Sequence, residues 1–162
     1  IAVQAAMTGH LVFSTLHTND ACSAVTRLFN VGIEPYMVSA TLIGVLAQRL
    51  VRKICTHCKE TYSPAVHLRR MAGGQLADIE TFYRGKGCSQ SRQTGYDGRT
   101  GLVELLVMTD EIRDLIAHGA SLDEIRAAAC TDGMRTLRID GISKVKAGVT
   151  TLEEVIQASD DR

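Results

Sequence analysis

Glycine and cysteine interrupt the middle of the chain. Residues 55–98 hold three of the five cysteines and six of the 14 glycines. Glycine at this density breaks both helical and strand periodicity. The stretch therefore reads as a small irregular domain between two regular parts. The expected division is 1–54, a strand-and-helix part whose first half is missing, then 55–98, the cysteine domain, then 99–162, a helical part.

The cysteines set the chemistry open to that middle segment. Cys55-Thr56-His57-Cys58 is a C-x-x-C pair. A redox pair of the thioredoxin type would end a strand and open a helix. Here the pair follows a long helical pattern and precedes Lys59-Glu60-Thr61-Tyr62, which favours a metal knuckle. Structural zinc takes four ligands, usually as two pairs. The second pair is sought at Cys88-Ser89-Gln90-Ser91, where Ser91 stands in the place of the fourth cysteine. Neutral serine is a poor zinc ligand. Cys55, Cys58 and Cys88 are thus the candidate metal ligands, with His57 and His67 as replacements for the fourth. The alternative is a degenerate site held by packing. The odd cysteine count and the lack of a visible signal peptide argue against a secreted disulfide scaffold. Cys22 and Cys130 fall on helical faces and read as small buried hydrophobes.

On either side the periodicity is regular. Ala2 to Met7 reads as a helix stopped by Gly9. The β-branched run 11–16 reads as a buried strand ending in the polar cluster Ser14, Thr15, His17, Thr18 and Asn19. The carboxyl ends of strands are where α/β proteins bind ligands. Asp20 is placed to cap the helix that carries Val25 and Leu28 and ends at Gly32. Pro35 opens a further, long apolar helix reaching Leu50. Short helices are expected at 65–71 and 76–82, and a strand at 102–107. A helix at 110–118 follows. Ser121-x-x-Glu124 and Thr151-x-x-Glu154 are capping boxes for two more, with another between them ended by Gly148. The class is α/β.

Composition removes several functions. Lys and Arg total 18, as do Asp and Glu, so the formal charge is zero. That opposes a general nucleic-acid coat or a polybasic membrane anchor. The balance is uneven along the chain: residues 1–101 carry 11 basic and 6 acidic side chains, and residues 102–162 carry 7 and 12. The neutral total therefore hides two oppositely charged halves and does not exclude a local basic surface. No apolar stretch approaches the ~18 residues that span a bilayer. The first residue is Ile1, so the chain is expected to be a fragment of something longer.

Several segments, in order, resemble one family. Ser14-Thr15-Leu16-His17-Thr18-Asn19-Asp20-Ala21 resembles the His box of the secretion ATPases that power type II secretion and type IV pilus assembly, the GspE/PilB family. Gln48 to Cys55 resembles the lead into that family's tetracysteine domain, and Gly95-Tyr96-Asp97-Gly98-Arg99-Thr100-Gly101 its exit. Gly133 to Leu137 and Thr150 to Val155 resemble its C-terminal helices. The matches cover nearly the whole chain.

The resemblance implies a hexameric RecA-like P-loop motor at the cytoplasmic face of the inner membrane. Such a motor hydrolyses ATP with Mg2+ to assemble pilins or pseudopilins, and works with inner-membrane platform proteins. It implies no specific nucleic acid. In these terms residues 1–54 are the end of the ATPase core, 55–98 a zinc-knuckle-like domain holding Zn2+ unless Ser91 prevents it, and 99–162 a helical bundle. Two departures stand out. The chain has no G-x-x-x-x-G-K-[ST], and the family's metal-holding acid would also lie before Ile1, so the fragment is expected to lack ATPase activity alone. The second departure is Ser91.

The resemblance also assigns roles. His17 would sense or orient a γ-phosphate; on the residues alone it reads as a half-buried histidine capping the next helix. Arg27 and Arg99 would contact nucleotide or a neighbouring subunit, a task suited to a fixed charge; on the residues alone Arg27 is a solvated helix face and Arg99 a turn residue. Tyr96 reads as packing. Two other classes compete. A stand-alone zinc-knuckle module for nucleic acid or protein would explain the cysteines and the nearby lysines and arginines, but not the Ser-Thr-Leu-His-Thr-Asn run. A small Cys/His enzyme has no local nucleophile signature to support it.

Overall fold

A computed structural model describes residues 1–159. In chain order the elements are α1 (Ala2–Met7), α2 (Ser23–Asn30), α3 (Pro35–Thr41), β1 (Gly44–Ile54), β2 (Lys59–Tyr62), α4 (Val66–Ala72), a 3₁₀ turn (Gly73–Leu76), β3 (Phe82–Gly85), β4 (Tyr96–Val107), α5 (Asp110–Ala117), α6 (Leu122–Thr131), α7 (Leu137–Lys146) and α8 (Leu152–Ser159). The class is mixed α/β, as expected. The chain forms two compact units. Among the described residues, one holds 1–47 and 104–136, the other 48–103 and 137–159.

In the first unit, α3 packs on α5 and α5 on α6. The core is aliphatic: Val25, Val38, Leu106, Met108, Ile112, Ile116 and Ile125 are all buried. Helix starts follow the local chemistry. The Thr109 side chain accepts from the Ile112 N–H at the start of α5. Ser121 and Glu124 close a reciprocal capping box on α6. Gly32, at φ 87°, ends α2. There the Gly32 N–H reaches the Phe29 carbonyl at 2.9 Å and the Ile33 N–H the Leu28 carbonyl at 3.1 Å, a Schellman motif.

Residues 11–16 correct the sequence reading. They form no strand, and Leu11 and Phe13 are 69% and 89% exposed. A strand is fixed by a neighbour's ladder, and among the described residues no strand pairs with this run.

In the second unit, β2 and β3 pair antiparallel with Lys59 opposite Gly85 and Tyr62 opposite Phe82. Phe82 enters a core with Ala72, Ile142, Val145, Leu152, Val155 and Ile156. Val51, Leu102 and Leu137 make a smaller cluster. α7 crosses α8 closely at Gly141: a Cβ there would lie 2.4 Å from Val155 Cγ1. Gly148 closes α7 as expected, with its N–H on the Val145 carbonyl at 2.8 Å.

β1 and β4 pair as a two-stranded sheet. The long helix expected from Pro35 to Leu50 is therefore two elements, α3 and β1, separated at Leu42. The buried residues of β1 are Ala47, Val51 and Ile54, a spacing of four and three that imitates a helix. The helix expected at 76–82 is also absent: residues 73–76 form the 3₁₀ turn, and Phe82 starts β3. Cys22 is buried as expected, whereas Cys130 is exposed near the end of α6. It does not serve the core.

Candidate functional site

The segment bearing His17 belongs to the first unit and is pinned at its end. Asp20 is 5% exposed. Its Oδ1 accepts the Ser23 N–H at 2.7 Å, capping the turn that opens α2, and its Oδ2 takes the Arg126 guanidinium from α6 at 2.7 Å. Beside it, the Ala21 N–H donates to the buried Glu104 carboxylate at 2.9 Å. Burial raises the Asp20 pKa, but the Ser23 hydrogen bonds and Arg126 outweigh it and hold the carboxyl below its ordinary 3.8. The Cys22 thiol, enclosed next to Glu104, is pushed up to about 12 by burial first and by that carboxylate second, so it stays protonated and inert at neutral pH. Asp20 thus caps the turn that leads into α2, whose own N-cap residue is Cys22 with no side-chain cap bond, and His17, three residues before Asp20, is exposed rather than half-buried. Arg27, in the last turn of α2, is exposed as well. Among the described residues neither side chain has a hydrogen-bond or ion-pair partner. Arg99 lies in the second unit, exposed on β4 after Gly98, whose φ is 72°.

The three candidate metal ligands are brought together in the second unit. The Sγ atoms of Cys55, Cys58 and Cys88 lie within 4.8 Å of one another, with Cys55 and Cys88 at 3.8 Å. Cys55 is buried, and Cys58 and Cys88 are half-buried. The Cys88 Sγ lies 3.5 Å from the Ser91 hydroxyl. Burial raises the Cys55 pKa. The Ser91 hydroxyl and N–H lower that of Cys88 to about 7. Donors aimed at sulfur favour the thiolate, the form that binds metal.

Ser91 closes the group. It is 3% exposed, with Oγ 3.5 Å from Cys88 Sγ and 3.8 Å from Cys58 Sγ. A serine therefore occupies the fourth vertex. His57 and His67 are exposed and outside the cluster. The two loops are clamped from behind by a glycine contact: a Cβ on Gly85 would lie 1.9 Å from the Gly95 carbonyl oxygen. That oxygen accepts the Cys55 N–H at 2.9 Å, and the Lys86 N–H meets the Cys58 carbonyl at 2.9 Å. Three thiols on two knuckle turns fit a zinc-class ion at three of its four positions.

The sequence reading missed Glu104 and Arg126 as partners of residues 20 and 21. They lie 83 and 106 positions away, and no local signal marks them. It also gave Glu154 only a capping role. The Glu154 N–H does meet Thr151 Oγ1 at 3.4 Å, but its carboxylate goes to Arg52 instead of returning to the cap. Tyr96 packs as expected, under the Arg52 guanidinium at 4.1 Å, with its hydroxyl 3.1 Å from Thr151 Oγ1.

Comparison with known proteins places these features. Residues 1–157 match the family model described as type II/IV secretion system protein. The chain is 52% identical over 158 residues to the type IV pilus assembly ATPase PilB of Thermus thermophilus, covering 96% of this chain and 18% of that protein. It is 48% identical over 161 residues to the type II secretion system protein HxcR of Pseudomonas aeruginosa, covering 99% and 31%. It is 45% identical over 159 residues to the type II secretion system ATPase E of Vibrio cholerae, covering 98% and 31%. The chain thus spans less than a third of each of these relatives. Its fold is similar to that of the pilus retraction motor PilT with bound ADP, at TM-score 0.64 and 27% identity, over 99% of this chain and 35% of that one. With a family model matching residues 1–157, nearly end to end, the chain belongs to the type II/IV secretion system protein family.

Proposed function

We propose that the chain is the C-terminal portion of a hexameric motor ATPase. The motor couples ATP hydrolysis to assembly of pilins or pseudopilins, at the cytoplasmic face of the inner membrane and together with platform proteins there. The observation that carries this reading is the 45–52% identity, over at least 96% of the chain, to proteins named as secretion and pilus assembly ATPases. No helix among the described residues is long and apolar enough to cross a membrane.

Within the motor, residues 1–54 supply the end of the RecA-like core, 55–98 a zinc-knuckle-like domain, and 99–162 a helical part. His17 orients or senses the γ-phosphate, from a segment whose next turn is anchored by Asp20. Arg27 and Arg99 face nucleotide or the neighbouring subunit, where an unpartnered guanidinium is available to a phosphate. ATP and Mg2+ belong to the longer motor, since this sequence contains no phosphate-cradling loop. Zn2+ held by Cys55, Cys58 and Cys88 crosslinks the two knuckle turns.

A phosphate-release assay tests the division of labour. The isolated chain should show no ATP turnover, and a longer protein that includes the phosphate loop should show it. Turnover by the isolated chain above background would refute the assignment.

A further inference from the structure

Cys55-x-x-Cys58 and Cys88-x-x-Ser91 share one spacing, and their four side chains meet in one cluster. A tetrahedral ion with Zn–S bonds of about 2.3 Å and a Zn–O bond of about 2.0–2.2 Å has S–S edges of about 3.8 Å and S–O edges of about 3.5–3.7 Å. The Cys55 and Cys88 sulfurs lie 3.8 Å apart. Ser91 Oγ lies 3.5 Å from Cys88 Sγ and 3.8 Å from Cys58 Sγ. The serine oxygen thus stands from the sulfurs at the distance of a fellow ligand, and it is buried. Backbone donors also converge on it. Oγ accepts the Cys88 N–H at 2.9 Å and the Gly95 N–H at 3.2 Å, and donates to the Cys88 carbonyl at 3.1 Å. Donors aimed at an oxygen stabilise negative charge on it. Once its proton is gone, the oxygen can keep both N–H partners and still offer a lone pair to a metal. The next two residues, Arg92 and Gln93, hold φ of 51° and 65°, which is uncommon outside glycine. Such backbone persists where its surroundings over-determine it, as at ligand clamps.

We infer that Ser91 is the fourth ligand of a zinc-class ion held by Cys55, Cys58 and Cys88, and that ion binding releases the Ser91 hydroxyl proton to solvent together with the three thiol protons. The inference rests on the reading of the three cysteines as zinc ligands. The shell is then three sulfurs and one oxygen, all from the protein, which is the closed arrangement of a structural site. A metal lowers the pKa of a bound water from 15.7 to about 7, and an alcohol oxygen on the same ion is acidified in the same way.

Cobalt substitution tests ligation without reference to activity. The reduced chain is loaded with Co2+ under anaerobic conditions. Its absorption and electron paramagnetic resonance spectra are recorded in ordinary water and in water enriched in oxygen-17. The wild-type chain should show tetrahedral cobalt bands and no oxygen-17 broadening, because a serine oxygen does not exchange with water. Ser91→Ala should shift the visible bands and acquire the broadening as water takes the fourth position. Ser91→Cys puts sulfur at the same vertex, and its thiolate-to-cobalt band should gain about a third in intensity as four sulfurs replace three; no gain would place residue 91 outside the ligand shell. Oxygen-17 broadening in the wild-type chain would make water the fourth ligand, overturning the inference while leaving the cysteine site standing. That measurement decides on its own if Ser91→Ala does not fold. A folded Ser91→Ala with the wild-type spectrum would overturn the inference as well. Failure of the wild-type chain to bind cobalt would remove the site and the inference together.

Discussion

Arg52 meets Glu154 with both its main chain and its side chain. The Arg52 N–H lies 2.8 Å from one carboxylate oxygen, and Nε and Nη2 lie 3.1 and 2.6 Å from the other. The two residues are 102 positions apart, and the contact joins β1 to the start of α8. The Glu154 side chain is 10% exposed and that of Arg52 52%. Solvent screens the guanidinium, so the ion pair itself contributes little, while the buried carboxylate depends on its donors. Arg52→Ala is expected to cost about 1–2 kcal/mol, including the lost stacking on Tyr96. Glu154→Gln should cost a similar amount. Urea unfolding of the single and double variants checks this, and additive losses would mean that the pair is not coupled.

Acid should act through the same groups. Burial raises the Glu154 pKa, but the Arg52 hydrogen bonds and charge overcome it and hold it below 4.5. Asp20 is held below 3.8 in the same way by Ser23 and Arg126. A depressed folded pKa means that the unfolded chain takes up the proton first. The stabilisation is fully present above the unfolded values and is lost as pH falls through the folded ones. Unfolding free energy should therefore fall as the solution is acidified below about pH 4.5. Glu154→Gln and Asp20→Asn should each flatten that decline, and an unchanged slope in both would contradict it.

Much of this fold is legible in the sequence where local chemistry decides. Ser121 and Glu124 spell out a capping box, and Gly32 and Gly148 mark helix ends through backbone conformations that glycine favours. Cys55, Cys58 and Cys88 declare their grouping by spacing alone. Legibility fails where distant partners decide. The buried positions of β1 fall at Ala47, Val51 and Ile54, and only pairing with β4 makes that pattern a strand. Residues 11–16 have strand composition, yet without a neighbouring ladder they stay exposed. The partners of Asp20 and Ala21 come from β4 and α6, and no local motif points to Glu104 or Arg126.

Gly141 offers a direct test of packing in the second unit. Alanine favours a helix over glycine by about 1 kcal/mol, so an open site would be stabilised by Gly141→Ala. Here the new methyl would meet Val155 Cγ1 at 2.4 Å, inside a buried helix crossing. Overpacking of this kind costs about 1–3 kcal/mol, and the steric term should win. Gly141→Ala is expected to lower the urea midpoint, and adding Val155→Ala should recover part of the loss. A midpoint raised by the single substitution would show that α7 and α8 can separate at little cost.

Turnover read beside stability separates a role of the two candidate arginines in phosphate chemistry from a structural one. Arg27 and Arg99 are exposed, and among the described residues neither has a hydrogen-bond or ion-pair partner, so alanine at either position should change unfolding free energy by less than about 0.5 kcal/mol. A guanidinium that meets developing phosphoryl charge is worth far more, on the order of 10²-fold in turnover. In a longer protein that includes the phosphate loop, Arg27→Ala and Arg99→Ala should depress kcat strongly while leaving the melting temperature near wild type. Lysine at these positions should restore only part of the rate, because a point charge does not reproduce the planar fork. A rate loss that only tracks a fall in melting temperature would instead mark the arginines as structural. Unchanged kcat would remove them from the proposed phosphate chemistry altogether.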